Sequence, residues 1–465
     1  MVFNAAKDNF QVIFPHILGC WPRVRCRACP QGCSGGANFQ GVPPLFLSLP
    51  PHSYMNRKKY YFFTILILGG LATISPFSID MYLPGFTAIA KDLDTGIDQV
   101  QLSLTSYIFG ISIGQLFYGP LLDRFGRRKP LYSGLAIYIL ASVGCAFTNS
   151  VESLIIMRFL QAIGGCVGMV AAQALVRDLF PVNKTAQVFS LIILVIAVSP
   201  MVAPTLGGYI TGSIGWHWVF IILAIIALAI VAAVYFFLPT GKRADHSISL
   251  KPKAVLASYY EVTRQPQFLI YTVAGGIAMA GPFAYIAGSS DVYMNIYHLT
   301  EQQYGWAFAF VAFGMIGTTQ LNHLLLKHYD SKKLISVALL QQVVVGTLLV
   351  VGTWYNWFGL FGFTSLVFLF VSAHGIMSPN TTALSMAPFT RHAGSASALL
   401  GSFRLGVAAL VSAMVSILHD GTSFPMAAIM LACALIGLIL LNSGLAVVKY
   451  RARKADLEKE VASII

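Results

Sequence analysis

Asp80 is the lone acid in PFSIDMYLPGF, residues Pro76–Phe86, and no charged side chain precedes it back to Tyr60. A carboxylate at the depth of a bilayer core costs about 2.5–3.5 kcal/mol on insertion scales, so such residues are rare and usually functional. Arg158, in RFLQAIGG, interrupts another apolar run in the same way. If the two lie at equal depth they can meet, directly or through a water. Desolvation and a nearby guanidinium pull a carboxyl's proton affinity in opposite directions, which is the chemistry of a group that exchanges protons on schedule. Two plainer readings stand beside this one. Asp80 can cap a helix end at the outer surface, and Arg158 can extend its stem to the outer interface.

The elements that must position these residues are legible from composition. The chain has 465 residues, 57% hydrophobic and 10% charged, against about 25% charged for an ordinary soluble domain. Apolar runs long enough to span a bilayer recur near 60–83, 100–120, 130–148, 152–173, 186–210, 217–238, 267–290, 303–326, 333–353, 357–378, 394–418 and 424–447. The alternating pattern of a membrane β-barrel is not seen, so the expected fold is an all-α membrane protein with twelve spans. With the N-terminus of the first span inside, 23 of the 30 Lys and Arg residues fall in cytoplasmic segments and only Lys91 in an outer loop. That asymmetry is the positive-inside rule. The net charge of +13 is therefore topology rather than a nucleic-acid surface, and both termini are expected in the cytoplasm. No phosphate-binding loop, Ser-His-Asp set or metal constellation stands out, so neither a nucleotide-driven pump, a soluble enzyme nor a cofactor is expected.

Residues 1–54 differ in character. They hold Cys20, Cys26, Cys29 and Cys33, four of the seven cysteines. The CRACPQGC spacing has no His pair or second knuckle to complete a metal site. Met55 then opens MNRKKYYFF, a basic run leading into the first span. Residues 1–54 are expected to be a non-native or disordered extension. Cys145, Cys166 and Cys433 sit singly within spans, where packing is the expected role. SPFSI from Ser75 has an echo in GPFAY from Gly281, and LLDRFGRRK from Leu121 has one in LLKHYDSKK from Leu325. Two echoes at nearly one offset argue for two parallel repeats. The expected organisation is a six-helix bundle over residues 55–239, a polar cytoplasmic linker over 240–266, a second six-helix bundle over 267–448 and a cytoplasmic tail over 449–465.

Three motifs fall in matching places. GPLLDRFGRRK, with Gly119, Asp123, Arg124, Gly126, Arg127 and Arg128, follows the second span. Its glycines suit a tight turn and close helix approach, and Asp123 suits the positive end of a neighbouring helix. RFLQAIGG, with Arg158 and Gln161, lies in the fourth span, and SPMVAPTLGG, with Pro200, Pro204, Gly207 and Gly208, in the fifth. Prolines four apart kink a helix, and paired glycines let a partner helix approach. The first of these resembles the G-x-x-x-D-R-x-G-R-R signature of the major facilitator superfamily. The second resembles that family's R-x-x-Q-G pattern, with Ala162 where Gly is usual. The third resembles the G-P-x-x-G-G motif of drug–proton antiporters, with Ala203 for the first Gly. DMYLPGF, RDLF (Arg177–Phe180) and AGSASALLG (Ala393–Gly401) further resemble its bicyclomycin and chloramphenicol resistance branch.

The resemblance, from about Met55 to the C-terminus, implies the major facilitator fold: two pseudo-symmetric six-helix bundles rocking about a central cavity. It implies a transporter in a bacterial inner membrane that exports small hydrophobic drugs in exchange for protons; the expected state, which the resemblance does not fix, is a monomer. Asp80 occupies the family's membrane-embedded acid position, where Pro84 would turn it to the cavity with Arg158 as its partner. The loop of Gly119–Lys129 would latch one state of the cycle. A proton-coupled metabolite symporter and a transport-dead sensor on the same scaffold are the alternatives. Candidate cavity residues are Tyr82, Tyr107, Phe109, Gln161, Tyr285 and Tyr293, together with Asn380, after Pro379, as a hydrogen-bonding group at a broken helix or as a cap. Arg404, near the middle of the eleventh span, and Asp291, at the outer end of the seventh, depart from the family pattern. Both are also candidate cavity residues, and each is the other's candidate partner, although their depths differ by several residues.

Overall fold

In a bilayer every backbone N–H and C=O must be satisfied within the segment, so long apolar runs become helices. The computed structural model of the chain describes residues 57–239, 241, 244–245, 250–389 and 393–464. The expected extension over 1–54 lies outside them. Fourteen α-helices follow in order: α1 (Arg57–Asp80), α2 (Phe86–Asp92), α3 (Ile97–Phe125), α4 (Arg128–Ala146), α5 (Val151–Leu179), α6 (Val182–Ile214), α7 (His217–Phe237), α8 (Pro252–Thr263), α9 (Pro266–Asp291), α10 (Glu301–Leu325), α11 (Ser331–Trp354), α12 (Leu360–Met386), α13 (Ala393–Ile417) and α14 (Phe424–Ile464). Among the described residues, twelve spans are long and apolar enough to cross a membrane, and there is no strand. Most helices overrun the sequence-based spans, because their polar ends continue the helix beyond the apolar stretch. The tail after residue 448 likewise continues α14, and the linker contains α8.

The first span departs most from expectation. It covers Tyr61–Asp92 and is broken after Asp80 by a turn and a short 3-10 segment, Leu83–Gly85, that carries Pro84. Asp80 therefore ends α1 well inside the span rather than near its outer end. The break is fully buried: Met81, Tyr82, Leu83 and Phe86 are shielded from solvent. α6 makes this possible. Gly207 lies where a Cβ would collide with the Met81 carbonyl oxygen, and Gly208 where one would collide with that of Glu301 on α10. The two glycines thus face opposite neighbours, the broken first span and α10. Pro200 and Pro204 lie within the same helix.

An even number of spans puts both termini of the bundle at one end. At the opposite end, helices from residues 57–239 meet helices from 267–448 through small polar side chains. Thr105 Oγ1 of α3 lies 2.8 Å from Ser412 Oγ of α13, Ser416 donates to the Asp98 carbonyl, and Thr205 of α6 donates to the Gly305 carbonyl at 3.4 Å. Nearer the middle, Ser112 donates to the Ser402 carbonyl at 2.8 Å. At the termini end α8 touches both sets of helices: Tyr259 donates to the Leu116 carbonyl of α3 at 2.9 Å, and Ser258 lies 2.8 Å from Ser395 of α13.

If solute passes by opening of the end opposite the termini, fixing Thr105 to Ser412 must stop it. A Thr105→Cys/Ser412→Cys protein should cross-link under mild oxidation and lose at least nine-tenths of its transport, with recovery on reduction. Undiminished transport in the fully cross-linked protein would contradict that role.

Candidate functional site

α5 carries Arg158 into the interior, where it is 0% exposed. It does not extend to an interface. Nη1 donates to Gln161 Oε1 at 2.7 Å, one turn on, and Nη2 to the Ser78 carbonyl of α1 at 3.2 Å. Gln161 in turn donates to Ser142 of α4 at 2.7 Å, and Ser78 Oγ lies 2.6 Å from the Tyr138 hydroxyl. The guanidinium carbon lies 4.1 Å from the centroid of the Tyr107 ring, 4.5 Å from that of Tyr82 and 5.7 Å from that of Phe220. Tyr82 is fixed by a 2.7 Å hydrogen bond to Ser103. Desolvated cation–π contacts reach about 2 kcal/mol, so aromatic faces replace the acid that sequence reasoning assigned to Arg158. The helices close around it because Ala162, where the resembled motif has Gly, is met by Gly110, whose added Cβ would lie 2.7 Å from that of Ala162.

Asp80 is 5% exposed, and among the described residues it makes no hydrogen bond or ion pair. The expected direct Asp80–Arg158 pair is therefore not formed: Arg158 is held instead by Gln161, Ser78 and the two rings, with its Nε buried and without a partner. The Asp80 carboxylate instead lies within electrostatic range of the Tyr285 and Tyr304 hydroxyls on α9 and α10. Tyr285 stacks on Phe308 at 5.4 Å and meets Tyr293 edge-on at 6.4 Å, while Tyr293 donates to Thr364 at 3.1 Å. Tyr304, which sequence reasoning missed, lies 2.8 Å from Ser289 Oγ. No local signal marks it; only the packing of α9 on α10 brings it there. The Tyr285 hydroxyl is buried without a partner.

Four further expectations are corrected. Phe109 is 49% exposed and rests on Phe159, on a different face of α3 from the buried Tyr107, so it lines no interior site. Asn380 neither caps nor breaks a helix: α12 continues through Pro379, and Asn380 donates to Asn322 of α10 at 2.6 Å. Asp291 is 4% exposed and pairs with His419 at 2.8 Å and Asn295 at 2.7 Å. Arg404 lies elsewhere, donating to Thr382 and Thr381 at 2.8 and 2.9 Å.

In the Gly119–Lys129 motif, which spans the end of α3 and the start of α4, only one glycine behaves as expected. Gly126 takes φ +79°, which favours glycine, whereas Gly119 has open space around it. Asp123 accepts from Arg127, the residue just before α4, at 2.7 Å. Arg127 also donates from Nε to Asp178 of α5 at 2.8 Å, and Arg128 donates to the Leu238 carbonyl after α7 at 2.7 Å. Burial opposes the Arg127 charge, but the hydrogen bonds and charges of Asp178 and Asp123 outweigh it, holding its proton more tightly than on an ordinary arginine. Asp178 belongs to the RDLF stretch, whose link to this loop the sequence did not reveal.

Comparison with known proteins agrees with this architecture. The Major Facilitator Superfamily matches residues 68–413. The chain belongs to that superfamily. It is 33% identical over 385 residues to the bicyclomycin resistance protein homolog of Haemophilus influenzae, covering 83% of this chain and 96% of the relative. The chloramphenicol resistance protein of Pseudomonas aeruginosa is 27% identical, covering 78% and 86%. The multidrug resistance protein MdtL of Escherichia coli is 26% identical, covering 80% and 93%. In three dimensions it resembles a bacterial homologue of the human lysosomal transporter Spinster, in an inward-facing and occupied conformation. The TM-score is 0.65 at 14% identity, covering 85% of this chain and 98% of the other. A D-xylose–proton symporter follows with a TM-score of 0.64 at 17% identity, covering 83% and 97%. The protein is thus a multi-pass membrane transporter of small molecules, not an enzyme.

The aromatic cage makes a specific demand on Arg158. Lysine cannot reach Gln161 and Ser78 together or lie flat between two rings. Arg158→Lys should destabilise the protein by about 2 kcal/mol, read as a lower unfolding temperature in detergent. An unchanged unfolding temperature would contradict the cage.

Proposed function

We propose that this chain exports small, largely hydrophobic drugs across the bacterial inner membrane in exchange for protons, as a monomer with both termini in the cytoplasm. The observation that carries the reading is Asp80: a buried carboxylate, without an internal partner, at a break in the first span and within electrostatic range of Tyr285 and Tyr304 of α9 and α10. A carboxyl in that position accepts a proton at little cost and surrenders it when a cation or an aqueous path arrives. Rings such as Tyr285 and Phe308 offer apolar and cation-binding faces to a drug. The names of the relatives, bicyclomycin, chloramphenicol and multidrug resistance, support drugs as the solutes.

The two bundles, residues 55–239 and 267–448, would rock about this region with the 240–266 linker between them. Gly207 and Gly208 would let the outer end close, and the Asp123–Arg127–Asp178 cluster would hold α3, α4 and α5 as one body while it moves. A membrane potential supplies about 2.3 kcal/mol per charge per 100 mV, enough for modest gradients without a nucleotide.

Expression in a pump-deficient host should raise resistance to bicyclomycin or chloramphenicol. In proteoliposomes an imposed pH gradient should accelerate drug movement at least tenfold, and Asp80→Asn, which keeps the shape but cannot carry the charge, should abolish that acceleration while the protein stays folded. Gradient-driven transport by Asp80→Asn would move the coupling elsewhere.

A further inference from the structure

Arg158 and Arg404 lie away from the ends of their membrane spans, and they are solvated differently. Arg158 has a side-chain amide, a carbonyl and two aromatic faces, and its Nε, like that of Arg404, is buried without a partner. Arg404, near the middle of α13, has two hydroxyls: Nη1 donates to Thr382 and Nη2 to Thr381, and Nε is buried without a partner. A guanidinium has five N–H donors, so most of its capacity is unused. No aromatic ring lies over it among the described residues. No carboxylate pairs with it among them either, and Asp291, the acid that the sequence offered, is taken by His419 and Asn295.

His374, one face of α12 with Thr381, lies within electrostatic range of Arg404, and its Nδ1 is buried without a partner. The two helices bring these groups together because α9 presents glycines to them. A Cβ on Gly275 would lie 3.0 Å from Thr381, and one on Gly276 would lie 2.9 Å from Phe403. Arg404 itself is only partly shielded from solvent. A planar guanidinium with unused donors matches an oxoanion in charge and geometry.

We propose that Arg404, with His374 beside it, is a binding site for the carboxylate or comparable oxoanion of an acidic solute. Transported compounds would then include acids and zwitterions, a class distinct from the neutral and cationic drugs that Asp80 suits. The inference extends the transport reading and rests on it only for the premise that solute reaches the core between the bundles.

The test compares 2-naphthoate with its neutral analogue 2-naphthamide, using equilibrium dialysis against the full chain in lipid nanodiscs, with empty nanodiscs subtracted. The wild type should bind naphthoate at least tenfold more tightly than naphthamide. Arg404→Gln should remove that preference while leaving naphthamide affinity unchanged, and His374→Gln should reduce it. Absent or equal binding of naphthoate, or a preference that survives Arg404→Gln, overturns the proposal. If Arg404→Gln fails to insert, Arg404→Lys decides: the preference must fall at least threefold, and an unchanged one overturns the site. Naphthoate binding in a protein that confers no drug resistance would overturn the export reading alone. Drug export without naphthoate preference would overturn this site alone.

Discussion

The Arg158 guanidinium is held between the Tyr107 and Tyr82 rings and hydrogen-bonded to Gln161 and the Ser78 carbonyl, and the character of the first bundle follows from what that cage satisfies. A charge buried at 0% exposure must be compensated locally or it destabilises the fold. Here α1, α3, α4 and α5 each supply part of the compensation, through Ser78, Tyr107, Ser142 and Gln161. The four helices are thereby tied to one another around a cation. The carboxylate that could have neutralised it is left over. Asp80, at the break that ends α1, points its chemistry toward α9 and α10 instead.

This division of labour suits a molecule that moves as two bodies. Contacts within the first bundle include charged and cation–π ones: the Arg158 cage at one depth, and Arg127 with Asp123 and Asp178 at the termini end. Contacts across to the second bundle are different in kind. Thr105 with Ser412, Ser112 with Ser402 and Thr205 with Gly305 are neutral hydroxyl hydrogen bonds, each worth about 0.5–1.5 kcal/mol net. Gly208 brings the α6 backbone against that of α10 without interlocking side chains. Strong bonds inside a body and weak ones between bodies permit closure that is reversible. The second bundle has its own internal ties, Asn380 to Asn322 and Asp291 to His419, which likewise do not cross the divide.

How much of this was legible in the sequence depends on the range of each interaction. Helix count and the place of the motifs follow from local hydropathy and local spacing, and they are read directly from the chain. So is the rarity of Asp80, Arg158, Asp291 and Arg404, since a charge in an apolar run is visible without a structure. Pairing was not legible. Asp80 with Arg158 and Asp291 with Arg404 were matched by charge and approximate depth, but a helix places side chains by rotation as well as depth. Rotation sends Arg158 into tyrosine faces, and a histidine beyond the end of α13 reaches Asp291 first. Phe109 was misplaced for the same reason: two residues from Tyr107 on a helix is a different face. The break at Leu83–Gly85 extends the first span to Asp92, and no periodicity could announce that, since Pro84 reads equally well as an end.

The central claim is that the partnerless Asp80 carboxyl holds a proton which the arriving solute displaces. It is tested most directly by adding bicyclomycin or chloramphenicol to the purified protein in weakly buffered detergent solution, with no gradient imposed, and recording bulk pH with an indicator dye. The account predicts a prompt release approaching one proton per protein from the wild type and none from Asp80→Asn, with drug binding retained in both. Equal proton release from Asp80→Asn, or drug binding by the wild type with no release at any pH between 5 and 9, would contradict it.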